Sequence, residues 1–183
     1  QGPGGDAVDT ERRDDQPRRV ALPLGFIIGL GGMVGNFMGG YLSDRMSPRD
    51  ARWAMWIPAI ANVLTVPFAA VAILSRDFCF SLAMYVIPLT FAYIYLGPTL
   101  ATTHALVQPR MRAMASAVLF FIVNLIGLGF GPTMVGAISD ALIPGYGTDS
   151  LRYAIVLTFL FNIWSAVHYW YASKHMRTEL AGQ

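Results

Sequence analysis

Charge is scarcest where this chain is longest and most apolar. Only 13% of its 183 residues are Asp, Glu, Lys or Arg, against about 25% in ordinary soluble domains. None of them falls within the stretches 21–42, 53–75, 78–107, 113–139 and 153–173. Too few charges remain to clothe a water-facing surface, which excludes a soluble globular domain. Cysteine is nearly absent, and Cys79 alone permits neither an intramolecular disulfide nor a cysteine-based metal site. The three histidines are dispersed, and no HExxH, GxSxG or Walker A pattern occurs. A metal centre and a hydrolytic or redox enzyme are therefore disfavoured, and no cofactor is expected. The basic residues stand singly rather than in a patch, so no nucleic-acid partner is expected either.

What the chain does have is length without polarity. Hydrophobic residues make up 55% of it and the mean hydropathy is +0.48. A helix rises about 1.5 Å per residue and the hydrocarbon core is about 30 Å thick, so roughly 20 apolar residues cross it. Each of the five stretches meets that length and is apolar on every side rather than along one stripe. The expectation is an all-α integral membrane protein of five transmembrane helices, a bundle over 21–174. Residues 1–20, rich in Gly, Pro, Asp and Arg, read as a polar flexible loop or tail. That stretch has no apolar h-region and is no signal peptide. The chain is expected to be the C-terminal piece of a longer protein.

Five crossings place alternate loops on opposite sides. Arg45, Arg49, Arg52, Arg110, Arg112, Lys174 and Arg177 fall on one side. Arg76 and Arg152 fall on the other with Asp77, Asp140 and Asp149, as do Arg12, Arg13, Arg18 and Arg19 of the N-terminal stretch with five acids. The positive-inside rule then puts the C-terminal tail, 175–183, in the cytoplasm of a multi-pass protein of the inner (plasma) membrane.

Small residues and breakers are distributed unevenly among the stretches. Gly31, Gly35 and Gly39 recur every fourth position, with Gly32, Asn36 and Gly40 in a second row. Such stripes let helix backbones approach closely, for static packing or for sliding during a conformational cycle. Gly127, Gly131 and Pro132 mark the fourth stretch, where Pro132 removes a donor and predicts a bend near 128–132. Pro58 and Pro67 predict bends in the second stretch, and Pro88 and Pro98 in the third. Interrupted helices belong where protein or a cavity covers them. The buried polar candidates are Asn36, Asn62, Thr90, Asn124 and Asn162, either lining a pathway or serving as interhelical glue.

One loop carries more information than the rest. Gly39-Gly40-Tyr41-Leu42-Ser43-Asp44-Arg45-Met46-Ser47-Pro48-Arg49 resembles the cytoplasmic loop motif of the major facilitator superfamily, matched at Gly40, Leu42, Asp44, Arg45 and Arg49, with Ser47 where the motif has Gly. The segments 109–117, 124–132 and 136–140 look like the penultimate helix of spinster-like bacterial members. The resemblance implies that the five helices are helices eight to twelve of a twelve-helix bundle, most of its C-terminal half. Helices two to six are an alternative register. It implies a secondary transporter of a small or amphipathic solute working by alternating access, with Gly40, Asp44, Arg45 and Arg49 gating the cytoplasmic side and Asp44 paired to a basic residue. The partners would be the lipid bilayer, the missing N-terminal half and the solute. Proton coupling is the family's usual mode, although no carboxylate lies within these five stretches. A reading of another class is a small polytopic protein acting as a structural or assembly subunit.

Overall fold

A computed structural model describes residues 4–181, and side chains at 21 and 24–176. Among these residues every regular element is helical. The order is α1 Gly4–Met46, α2 Trp53–Leu74, α3 Phe78–Tyr93, α4 Leu96–Ala105, α5 Arg112–Asn124, a π-helical turn Leu125–Phe130, α6 Gly131–Tyr146, α7 Ser150–Thr158 and α8 Leu160–Ala181. Leu24–Met46, Trp53–Leu74 and Phe78–Ala105 are each long and apolar enough to cross a membrane. So is the 68-residue stretch Pro109–Met176. That stretch folds back at Gly147, which adopts φ 53°, a backbone region open mainly to glycine.

Three features of the elements could not be read from the apolar stretches and their prolines alone. The N-terminal 1–20, read as a flexible tail, is helical from Gly4 as an extension of α1. In sequence, acids there precede arginines by four positions, at 9 and 13, 14 and 18, and 15 and 19, a spacing that favours helix. The second stretch does not break at its prolines, since α2 runs unbroken through Pro58 and Pro67. Helices α3 and α8 flank it along its length, and neighbours of this kind hold a proline-containing span helical in lipid. The last stretch contains no proline and yet is interrupted. Phe159 closes a short turn to the Val156 carbonyl at 3.1 Å, and α8 restarts at Leu160.

The other breaks fall where the prolines lie. Pro98 has no N–H to offer the carbonyl of Ile94, four residues back. The third stretch accordingly divides at Ile94–Tyr95, where the Ile94 N–H turns to Phe91 at 3.2 Å. Ahead of Pro132 the ladder widens, and the Gly131 N–H bonds to Ile126, five residues back. This is the π turn, which overlaps the predicted bend at 128–130.

The packing centre lies on α2. It sits between α3 and α8, with α1 laid across α3 and α4. Ile57 and Ala61 bury against Ile94, flanked by Leu42, Met46, Trp53 and Phe91. Ala54 and Met55 bury against Met176. Since lipid offers no hydrophobic drive, side-chain hydrogen bonds and close backbone contact tie the helices together. Trp56 Nε1 donates to Ser173 Oγ at 2.9 Å, Asn62 Nδ2 to Ser165 Oγ at 3.3 Å, and Thr99 and Tyr169 share a hydroxyl bond of 2.8 Å between α4 and α8. Tyr169→Phe removes one such link. It is expected to lower stability by about 0.6 kcal/mol, the average for interhelical bonds in lipid. Reversible unfolding in mixed micelles measures it, and a loss above about 2 kcal/mol would mean that the hydroxyl does more than join two helices.

Helices α5 and α6 are the exception to this packing. Neither contains a buried residue. Helix α6 leans on α7, while α5 reaches the rest of the bundle through α4, where His104 Nε2 and Ser116 Oγ lie 2.6 Å apart.

Candidate functional site

The residues of the 40–52 loop build a pocket at one end of the bundle. α1 ends at Met46, and Ser47 N–H still bonds to the Ser43 carbonyl at 2.8 Å. Arg49 and Asp50 N–H groups turn back to Met46 at 3.1 and 3.3 Å. Asp50 Oδ1 then accepts from the Arg52 N–H at 3.0 Å, and its carbonyl from Trp53 at 3.0 Å, which launches α2. No non-glycine residue among those described has positive φ, so Ser47 fits this turn without the freedom of the glycine it replaces. The resulting pocket has a volume of about 310 Å³. Ser43, Asp44, Ser47, Pro48 and Ala51 line one side, Ala54 the start of α2, Ala101, Thr102 and Ala105 the end of α4, and Met176 the end of α8. The basic loops that follow α1 and α4 and the end of α8 therefore share one end of the bundle.

Asp44 is the acid in the pocket wall, exposed on the last turn of α1. The expected ion pair with a basic residue of the loop is not formed. Among the described residues the ion pair within 4.0 Å is Arg152 to Asp149, at 3.9 Å on the surface near the α6–α7 turn. Arg45 and Arg49 are exposed, and neither lies within 4.0 Å of the carboxylate. A carboxylate at a helix C-terminus meets the negative end of the helix dipole, at a cost of about 0.3–1 kcal/mol. An acid kept there without a cation has a position that a partner from outside these residues would favour. At the opposite end the charge follows the ordinary rule, with Asp77 accepting from the Phe80 N–H at 2.8 Å to cap the start of α3.

The five candidates for a pathway lining are not brought together. Asn62 is 9% exposed and spent on Ser165 between α2 and α8. Thr90 Oγ1 donates to the Val86 carbonyl within α3 at 2.9 Å. Asn124 donates to Phe120 on the bare face of α5 at 2.7 Å, Asn36 is exposed on α1, and Asn162 is half-buried on α8. None of them lines the pocket at the Asp44 end.

The glycines divide into two kinds. Gly31, Gly35 and Gly39 are buried against α3 and α4. A methyl on Gly35 would overlap the Thr90 carbonyl and one on Gly39 the Ile94 carbonyl, the two acceptors that flank the α3–α4 break. Gly40 meets Gly97 backbone to backbone. Gly127 and Gly131, expected to serve helix packing or bending, meet nothing within 4 Å among the described residues. Their stripe faces out of the described bundle.

Several contributors were not singled out from sequence. The alanines of α4 shape the pocket wall beside Thr102, and Trp56, Ser173, Thr99 and Tyr169 lock its helices. On α4 the one sequence signal is small or hydroxyl residues four apart, at 99 and 103 and at 101 and 105.

No family model matches the chain. It is 30% identical over 162 residues to an MFS-type efflux pump of Mycolicibacterium smegmatis, covering 88% of this chain and 38% of the pump. It is 25% identical over 175 residues to Protein spinster homolog 3 of Danio rerio, covering 85% of the chain and 33% of that protein. Its fold superposes on a bacterial homolog of the human lysosomal transporter Spinster in the inward-facing, occupied conformation. The TM-score is 0.73 at 26% identity, over 83% of this chain and 40% of that one. The unoccupied inward-facing form gives 0.74 at 27% identity, over 83% and 39%. The chain thus spans about two fifths or less of the length of each protein it matches. Over most of its own length the chain is similar to an MFS-type efflux pump and to spinster homologues, and it matches only a part of each.

Proposed function

We propose that this chain is the last five helices, eight to twelve, of a twelve-helix secondary transporter that moves a small or amphipathic solute by alternating access. The observation that carries the reading is the Asp44 pocket, a motif-bearing loop whose acid has no cation among the described residues. The shared length of about two fifths fits five helices out of twelve. The bare faces of α5 and α6, with Gly127 and Gly131 pointing outward, supply a surface for an N-terminal half. The solute would sit between the halves at mid-membrane, where this half offers uncharged groups such as Asn36, Asn124 and Thr90. Coupling to protons would then need an acid of the N-terminal half, since none lies within the five spans. The basic loops gathered at the Asp44 end support, under the positive-inside rule, the reading that this end and the C-terminus lie on the cytoplasmic side of an inner membrane.

In this reading Asp44 latches the cytoplasmic gate by pairing with a cationic group of the other half in one conformation and releasing it in the other. Asp44→Asn in the full-length protein is expected to lower solute uptake at least about fivefold, the scale of a coupling free energy near 1 kcal/mol. The amount inserted in the membrane stays unchanged. Uptake equal to wild type, at equal insertion, would remove the latch from the mechanism.

A further inference from the structure

A second concavity lies on the outer side of the α2–α8 seam and has a volume of about 380 Å³. Val63 forms one wall, Ile163, Val167 and Trp170 the other, and Ala59 and Ala166 the floor. The small floor residues, 8% and 6% exposed, keep the groove deep while the wall side chains stay open to the surroundings. The polar groups of this seam are used elsewhere, Asn62 on Ser165 and Trp56 on Ser173. A polar solute therefore finds no anchor in it. At α-helical rise the groove runs roughly 10 Å from Trp170 to Ile163, about a third of the hydrocarbon thickness.

The mouth of this groove is charged. Lys174 stands one turn beyond Trp170, its Nζ 3.8 Å from the centre of the indole ring. That cation–π attraction keeps the ammonium beside Trp170, the lining residue of the groove nearest the end of α8. Among the described residues no carboxylate lies within 4.0 Å of it. Tryptophan favours the headgroup level of a bilayer, and a lysine there attracts anionic lipid. We propose that the groove holds one acyl chain of an anionic membrane phospholipid, with the phosphate met by Lys174 at its mouth. Apolar walls, depth toward the midplane and a single cation at the interfacial end together match that amphiphile. The site requires that α2 and α8 span the membrane and does not depend on transport.

The test is native mass spectrometry of the intact protein released from nanodiscs of phosphatidylglycerol mixed with phosphatidylcholine. Wild type is expected to retain phosphatidylglycerol in preference. Lys174→Gln is expected to reduce that retention roughly fivefold, the effect of one basic residue at an anionic surface, while Lys174→Arg keeps it. Val167→Trp, which fills the open groove without touching its floor, is expected to reduce retention of both lipids. Equal retention of the two lipids by wild type would overturn the site. So would wild type forming a dimer that Val167→Trp breaks while its lipid is kept, because the groove would then be a seam between two copies.

Discussion

Gly35→Leu is expected to prevent α1 from docking on α3 and α4. The methyl carbon alone would overlap the Thr90 carbonyl, and the Tyr93 Cβ lies at 3.0 Å from the same point. Both neighbours are fixed, one of them backbone, so the strain cannot be relieved by rotating a side chain. Overpacking in a close-packed interior costs about 1–3 kcal/mol, more where nothing can move. Here the shift must also separate Gly39 from the Ile94 carbonyl, because both glycines lie on one face of one rigid helix. The expected result is a protein that inserts but melts far below wild type or elutes as aggregate in detergent size-exclusion chromatography. Gly29→Leu provides the control, since nothing lies within 4 Å of its side-chain position. Two variants melting together would mean that α1 is not seated on α3 and α4 as described.

Deleting Leu128 is expected to leave the fold standing and remove most of the transport. The π turn Leu125–Phe130 closes rings one residue longer than those of an α-helix, as in the bond from Gly131 to Ile126. Removing one residue lets the shorter ladder run on from α5 into α6. Leu128 is 75% exposed and contributes little packing within these residues. Expression and thermal midpoint should therefore stay near wild type. If the π turn is the place where this helix flexes between inward- and outward-open forms, solute uptake falls on the order of tenfold. Unchanged uptake would reduce the π turn to an irregularity of packing.

Much of the architecture was legible in the residues. A span free of charge and longer than the hydrocarbon core has few fates, so the helical bundle and its placement along the chain follow from length and composition. Proline was a weaker guide. Pro98 and Pro132 fall at breaks in the ladder, whereas Pro58 and Pro67 sit inside an unbroken α2. The difference is the neighbours on either side of α2, and neighbours are not written in the local sequence. The break at Phe159 carries no proline or glycine signal at all. The glycine stripes make the same point, because Gly31–Gly35–Gly39 and Gly127–Gly131 share one spacing while only the first set meets another helix. Spacing says which faces can come close, and topology decides which do. At the candidate site, the motif drew attention to Asp44, which lines a pocket, but nothing in its spacing told that the arginines beside it in sequence would stand more than 4.0 Å from it.

The exposure of α5 bears on the order in which the molecule opens. With no buried side chain, and a tie to α4 at His104–Ser116, α5 and the π turn hold almost none of the free energy that keeps the rest assembled. Local opening draws on the least supported segments first. In the 183-residue chain taken alone in detergent, with no N-terminal half laid on α5, amide hydrogens of 112–130 should thus exchange with solvent deuterium through brief, separate excursions while those of α2 wait for the whole bundle to part. A helix that can leave and return without unfolding its neighbours is cheap to move, and a gate needs that property.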